Sequence, residues 1–128
     1  MKWVTIPIRF ADQDILGHVN NAATATYLEQ GRCEHLIPLI EAAHEPGLDI
    51  VLARIIIDYI REIRYPGTAE VGVRISHIGN KSFVINASVF VGDTCSATSA
   101  ATIVFFDKTS RTSRLPPAHL RASLQSLT

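Results

Sequence analysis

The residues most able to do chemistry lie together in "RFADQDILGHVNNA", positions 9–22: Asp12, Asp14, the pair Gly17-His18 and the pair Asn20-Asn21. Two acids before a helix commonly serve as caps or loop acceptors. Here a glycine that permits a tight turn or a close ligand approach follows them, and a helix start at Asn20 or Asn21 presents unpaired backbone amides. A carboxylate beside such a start combines a base or nucleophile with a donor that polarises a carbonyl where negative charge develops. That pairing suits acyl transfer. A thioester is the natural substrate, because its thiolate leaves with a pKa near about 8.5 and needs little help from a general acid. The chain has no G-x-S-x-G elbow for serine chemistry.

His18 has three roles open to it: bonding a substrate carbonyl, orienting Asp14, or packing against the loop. His35, His44, His77 and His119 show no ligand-like spacing and read as structural or surface residues. Asp12, Asp14 and His18 carry oxygen and nitrogen donors, but three close residues on a turn are not a specific metal pattern, so no metal is expected. Cys33 and Cys95 are too few and too far apart for a disulfide framework or a zinc site, and read as free thiols.

The elements around this motif follow from periodicity. Val4, Ile6, Ile8 and Phe10 alternate with Trp3, Thr5, Pro7 and Arg9, which predicts a strand over 3–10, edge-like because Pro7 lacks an amide donor. The segment "NAATATYLEQGRCEHLIPLIEAA", 21–43, is the one long helix, small-sided in its first turns, and Pro38 is expected to end or kink it near His35 to Ile37. Pro46-Gly47 makes the next turn. Strand-like runs occupy 51–65, 66–79, 81–91 and 94–106, the last two joined at Gly92-Asp93. Pro116-Pro117 precedes a short terminal helix in "AHLRASLQSL". Strand, helix and four closely spaced strands fit an antiparallel α+β domain over 1–128, with one helix covering one sheet face.

Composition agrees with a globular domain. The 128 residues are 47% hydrophobic and 19% charged, with twelve basic and twelve acidic side chains, so net charge gives no attraction to nucleic acid or an anionic membrane. The N-terminus fails as a signal peptide and no run reaches a membrane span, which points to a cytoplasmic protein.

The string "RFADQDILGHVNNAATATYLEQGR" resembles the hotdog-fold acyl-CoA thioesterases, in particular the 4-hydroxybenzoyl-CoA thioesterase-like branch. Phe10, Asp12, Asp14, Gly17, His18, Val19, Asn20, Asn21, Tyr27, Glu29 and Arg32 match in order and spacing. The resemblance implies a curved five-stranded antiparallel sheet wrapped around one long helix. It makes Asp14 the catalytic carboxylate, as nucleophile or as general base, puts the Asn21 amide at the thioester carbonyl with His18 close by, and leaves Asp12 to support the loop. Gly17, Asn20 and Tyr27 become substrate contacts, and Arg54, Arg61, Lys81 and Ser82 candidates for the nucleotide end of coenzyme A. No cofactor is implied beyond the coenzyme A of substrate and product. Similar proteins are homodimers or homotetramers. Thr24 and Gly31 depart from the usual aromatic residue and alanine. An acyl-carrier-protein thioesterase and a non-catalytic acyl-CoA-binding protein are the alternatives.

Overall fold

The computed structural model describes every residue from Met1 to Thr128. Five strands form one antiparallel sheet in the order β1-β3-β4-β5-β2, with β1 at Lys2–Pro7, β2 at Leu48–Tyr59, β3 at Thr68–Ile78, β4 at Ser82–Val91 and β5 at Thr94–Asp107. The long helix α1, Asn21–Ala43, lies on one face, and a short helix α2, Ala118–Leu124, closes the end of the core. This is the hotdog arrangement.

Alternation decides the inner face. Phe83, Ile85, Ala87 and Val89 on β4, and Ala97, Ser99, Ala101, Ile103 and Phe105 on β5, are all buried, while the residues between them are half-exposed. From the other side α1 contributes Tyr27, Leu28 and Leu36, and α2 contributes Leu120 and Leu124. Gly31 sits where α1 comes closest to β3: a Cβ there would run into the Val71 side chain, itself fully buried. Alanine would gain about 1 kcal/mol in helix propensity, but overpacking a closed core costs about 1–3 kcal/mol. Gly31→Ala is therefore expected to lower the thermal midpoint, and an unchanged or raised midpoint would show that Val71 can give way.

Three boundaries differ from the sequence expectations. The helix runs through Pro38 to Ala43 and ends at His44, which adopts the left-handed conformation at φ 49°. Pro38 is exposed, so the bond it removes is lost on the solvent side, while Leu36, Leu39, Ile40 and Ala43 hold the flanking turns to the core. The first strand stops at Pro7, so Phe10 does not extend its apolar face; it is exposed and packs edge-on against Tyr65, ring centroids 5.6 Å apart. The run at 51–65 begins earlier, at Leu48, and ends at Tyr59. There the amides of Ile60 and Arg61 both donate to the Ser96 carbonyl, which turns the chain off the sheet toward the loop that holds Asp14.

Candidate active site

Residues 9–20 are tied down at both ends. Arg9 and Asp12 bracket a single 3-10 turn: the Arg9 amide donates to Asp12 Oδ2 at 3.0 Å, and its guanidinium donates to Oδ1 through Nε at 3.1 Å and Nη2 at 2.8 Å. The Tyr27 hydroxyl, reaching across from α1, donates to the same carboxylate at 2.6 Å. Asp12 is 3% exposed. Its burial alone would raise its pKa, but the bonds from Tyr27 and Arg9 hold it below the ordinary carboxylate range. Burial, and then the Asp12 carboxylate, push the Tyr27 hydroxyl well above its usual value. The Tyr27 hydroxyl is thus engaged by Asp12, and its ring is part of the core.

Asp14 has the opposite surroundings. The loop closes tightly, the Asp14 amide donating to the His18 carbonyl at 2.9 Å and the Gly17 amide to the Asp14 carbonyl at 3.1 Å. Gly17 takes φ +86° to make the turn. One carboxylate oxygen, Oδ1, accepts the Leu16 amide at 2.8 Å, which fixes the side chain. The other, Oδ2, stands 3.8 Å from His18 Nδ1. His18 Nε2 faces Glu62 Oε2 at 3.9 Å, so the imidazole lies between two carboxylates.

Asn20 is the N-cap of α1, its side-chain oxygen accepting the Ala23 amide at 2.7 Å and its own amide donating to the Asp12 carbonyl at 3.0 Å. The Asn20 side-chain oxygen and backbone amide are thus spent on positioning the start of the helix. The cap leaves the Asn21 amide, first in the helix, with no acceptor within α1. The Tyr59 hydroxyl donates to the Asn21 carbonyl at 3.1 Å and pins this end of the helix to the end of β2. A cavity of about 210 Å³ opens here, lined by His18, Asn21, Thr24, Tyr59, Arg61 and Glu62 among others. A larger hollow of about 510 Å³ lies at the far end of α1, around Ile40, His44 and Lys108. Neither His18 nor Asn21 reaches it, and both line the smaller cavity; Asp14 lines neither and stands beside the smaller one, 3.8 Å from His18.

Of the remaining sequence candidates, the structure brings Arg61 to this cavity. Arg54 lies on exposed β2 opposite Thr102, beyond the cavity's lining. Lys81 and Ser82 are at the other end of the sheet: Ser82 pairs with Val104, eight residues along β5 from Ser96, or about 26 Å of strand. Within one chain they do not meet Asp14. Sequence reasoning missed Tyr59, Glu62 and Ser96, because the run at 51–65 reads as one continuous strand and its turn at Ile60 carries no glycine or proline. No group of three or more His, Cys, Asp or Glu side chains is placed to hold a metal ion.

The sequence matches the thioesterase-like superfamily over residues 8–124, and the chain belongs to that family. Fold and family together define a thioester hydrolase. Among solved structures it is similar to a thioesterase from Thermus thermophilus, complexed with coenzyme A and Zn, at 28% identity and TM-score 0.85, covering 98% of this chain and 92% of that one. A predicted thioesterase from Bacillus stearothermophilus superposes with TM-score 0.91 at 24% identity, covering 98% and 95%. A probable thioesterase from Escherichia coli does so with TM-score 0.84 at 20% identity, covering 98% and 97%. Comparison with curated proteins gave no match.

Proposed function

We propose that the chain is an acyl-CoA thioesterase that hydrolyses a thioester to a carboxylic acid and coenzyme A, with Asp14 as nucleophile or general base and the Asn21 amide polarising the carbonyl. The observation that carries this reading is the division between the two acids: Asp12 has all its acceptor capacity engaged, whereas Asp14 is held by one oxygen and offers the other. The Asn21 amide heads a 23-residue helix whose dipole favours developing negative charge at that point. His18 assists by orienting Asp14 or by bonding the carbonyl, and Gly17 admits the substrate. The thiolate departs without a general acid, so side chains and backbone suffice and no cofactor is required.

We infer a homodimer, with higher assembly to a tetramer open to it. β2 is a twelve-residue edge strand carrying exposed Val51, Leu52, Ile56 and Tyr59, an aggregation liability unless another strand covers it. Two-fold pairing of β2 with its copy sets the Tyr59 end of one strand against the Leu48 end of the other. That pairing carries the second copy's Lys81 and Ser82 toward this chain's Arg61, where they join it at the nucleotide end of coenzyme A, with Arg54 on the intervening strand. No helix is long and apolar enough to cross a membrane, and two free cysteines suit a reducing compartment, so we assign the protein to the cytoplasm.

The test is free-thiol release by the purified protein, supplied in parallel with acyl-CoAs and with the same acyl groups on acyl carrier protein. Release from acyl-CoA that survives a chelator is expected. Release only from carrier-protein thioesters would replace the substrate class, and binding of acyl-CoA without release would replace the enzyme with a binding protein.

A further inference from the structure

One arginine of this chain spends its charge on carbonyl oxygens instead of on a carboxylate. Arg121, midway along α2, donates through Nη1 to the Gly79 carbonyl and through Nη2 to the Asn80 carbonyl, each at 2.6 Å, and has no ion-pair partner. Both carbonyls belong to the turn between β3 and β4. A planar fork on two successive carbonyls fixes their orientation as well as their position. The helix that carries it is itself anchored: Leu120 and Leu124 are fully buried, and the His119 ring meets the Ala43 carbonyl at 2.9 Å.

In a trans peptide the carbonyl and the amide that follows it point in opposite directions. By holding the Gly79 and Asn80 oxygens on the α2 side, Arg121 therefore aims the amides of Asn80 and Lys81 away from α2. Neither amide has an acceptor in the chain, whereas the Gly79 amide donates to the Ser82 carbonyl at 2.8 Å and the Lys81 carbonyl accepts the Phe105 amide at 2.9 Å. Successive turn amides make an anion-binding concavity. The exposed Lys81 and the half-buried Ser82 stand beside these two. Charge agrees: no Asp or Glu occurs between Glu70 and Asp93 or after Asp107. Asp107 itself is engaged by the Thr109 and Ser110 amides and by Arg114. A chain without net charge thus carries a local positive excess where α2 meets the turn, and fixed amides beside a lysine and a hydroxyl suit a phosphate.

We propose that the β3–β4 turn is a phosphate cradle built in part from backbone amides, taking the nucleotide end of coenzyme A, and that Arg121 is its positioning residue. This rests on the acyl-CoA reading above, which brings Lys81 and Ser82 to that end. Arg121 touches no substrate; it acts through two peptide planes. Without it the hairpin stays paired, through the Gly79 amide and the ladder of β4 with β3 and β5, but those two planes are free to rotate. The loss falls on the nucleotide and not on the thioester, because the turn lies at the other end of the sheet from the Asp14 of its own chain.

The experiment compares an acyl-CoA with the same acyl group on N-acetylcysteamine, a thioester that lacks the nucleotide, in the parent and in Arg121→Met. In the variant KM for the acyl-CoA should rise about tenfold, the equivalent of one hydrogen bond to a charged group, with kcat unchanged. Both constants for the truncated thioester should stay at the parent's values. Arg121→Lys, a point charge in place of the fork, should recover part of the loss. Lys81→Met should raise the same KM, and the double variant should fall short of the product of the two effects, because both act on one turn. Equal changes for the two thioesters overturn the proposal. So does a lowered thermal midpoint with KM for the acyl-CoA unchanged, which would leave Arg121 a brace of the fold. Equilibrium binding of coenzyme A and of pantetheine separates the cradle from the thioesterase reading. A preference for coenzyme A that falls about tenfold in Arg121→Met upholds the cradle even without turnover; the same preference in both proteins, or none in the parent, refutes it while hydrolysis stands.

Discussion

Asp14→Asn is expected to reduce kcat for thiol release by about 10²–10⁴-fold, or roughly 3–5.5 kcal/mol of transition-state stabilisation, with KM little changed. The substitution keeps the size of the side chain and the oxygen that accepts the Leu16 amide. It replaces Oδ2, the oxygen facing His18, with an amide that neither attacks a carbonyl nor takes a proton from water. Asp14→Ala should lose a similar factor; a much larger loss for alanine would mean that the asparagine retains a positioning role. Comparable turnover in both variants and the parent would remove Asp14 from the mechanism and leave His18 and Glu62 as the titratable pair at the cavity. The two routes separate in a single turnover in ¹⁸O-water. Attack by Asp14 gives an anhydride whose hydrolysis at the enzyme's carbonyl leaves the label on Asp14. Direct attack by water puts the label in the released acid.

Much of this site is legible in the sequence because it is local. From Arg9 to Asn21 the chain folds on itself within a dozen residues, and the loop chemistry follows from residue type: a glycine for the turn, an asparagine for the cap, an acid left over. The strand alternation that sets the inner face is legible for the same reason. What is not legible depends on tertiary contact. The family resemblance makes Tyr27 a substrate contact, and only the approach of the 3-10 turn brings its hydroxyl onto a buried carboxylate. Pro38 has a strong local preference against helix interiors, overridden because the apolar residues on either side of it are anchored in the core. Glu62 joins the site only because two amides turn the chain at Ser96. Arg32 carries no sign in the sequence of being buried, since an arginine on a helix is exposed by default.

Asp12→Ala is expected to destabilise the fold by about 2–4 kcal/mol while removing no group that touches substrate. The Arg9 side chain is exposed and simply returns to water, so little of the loss lies in the ion pair itself. The larger part comes from the Tyr27 hydroxyl, buried without an acceptor at a cost of about 1–3 kcal/mol, with about 1 kcal/mol more from the Arg9 amide left without its acceptor. Tyr27→Phe should cost less, near 1 kcal/mol, because Asp12 keeps Arg9; in the double variant the losses should fall short of their sum. The pH dependence has a fixed sign. The folded Asp12 pKa lies below its unfolded value of about 4, so its contribution is complete above that pH and disappears as pH falls through the folded value. The gap in denaturation free energy between parent and Asp12→Ala should therefore be constant at neutral pH and narrow below about pH 4. A gap that persists undiminished in acid would mean that packing around the side chain, not its charge, is what joins the loop to α1. Since that loop also presents Asp14, the same variant should lower kcat at temperatures well below its midpoint, and by much less than Asp14→Asn does.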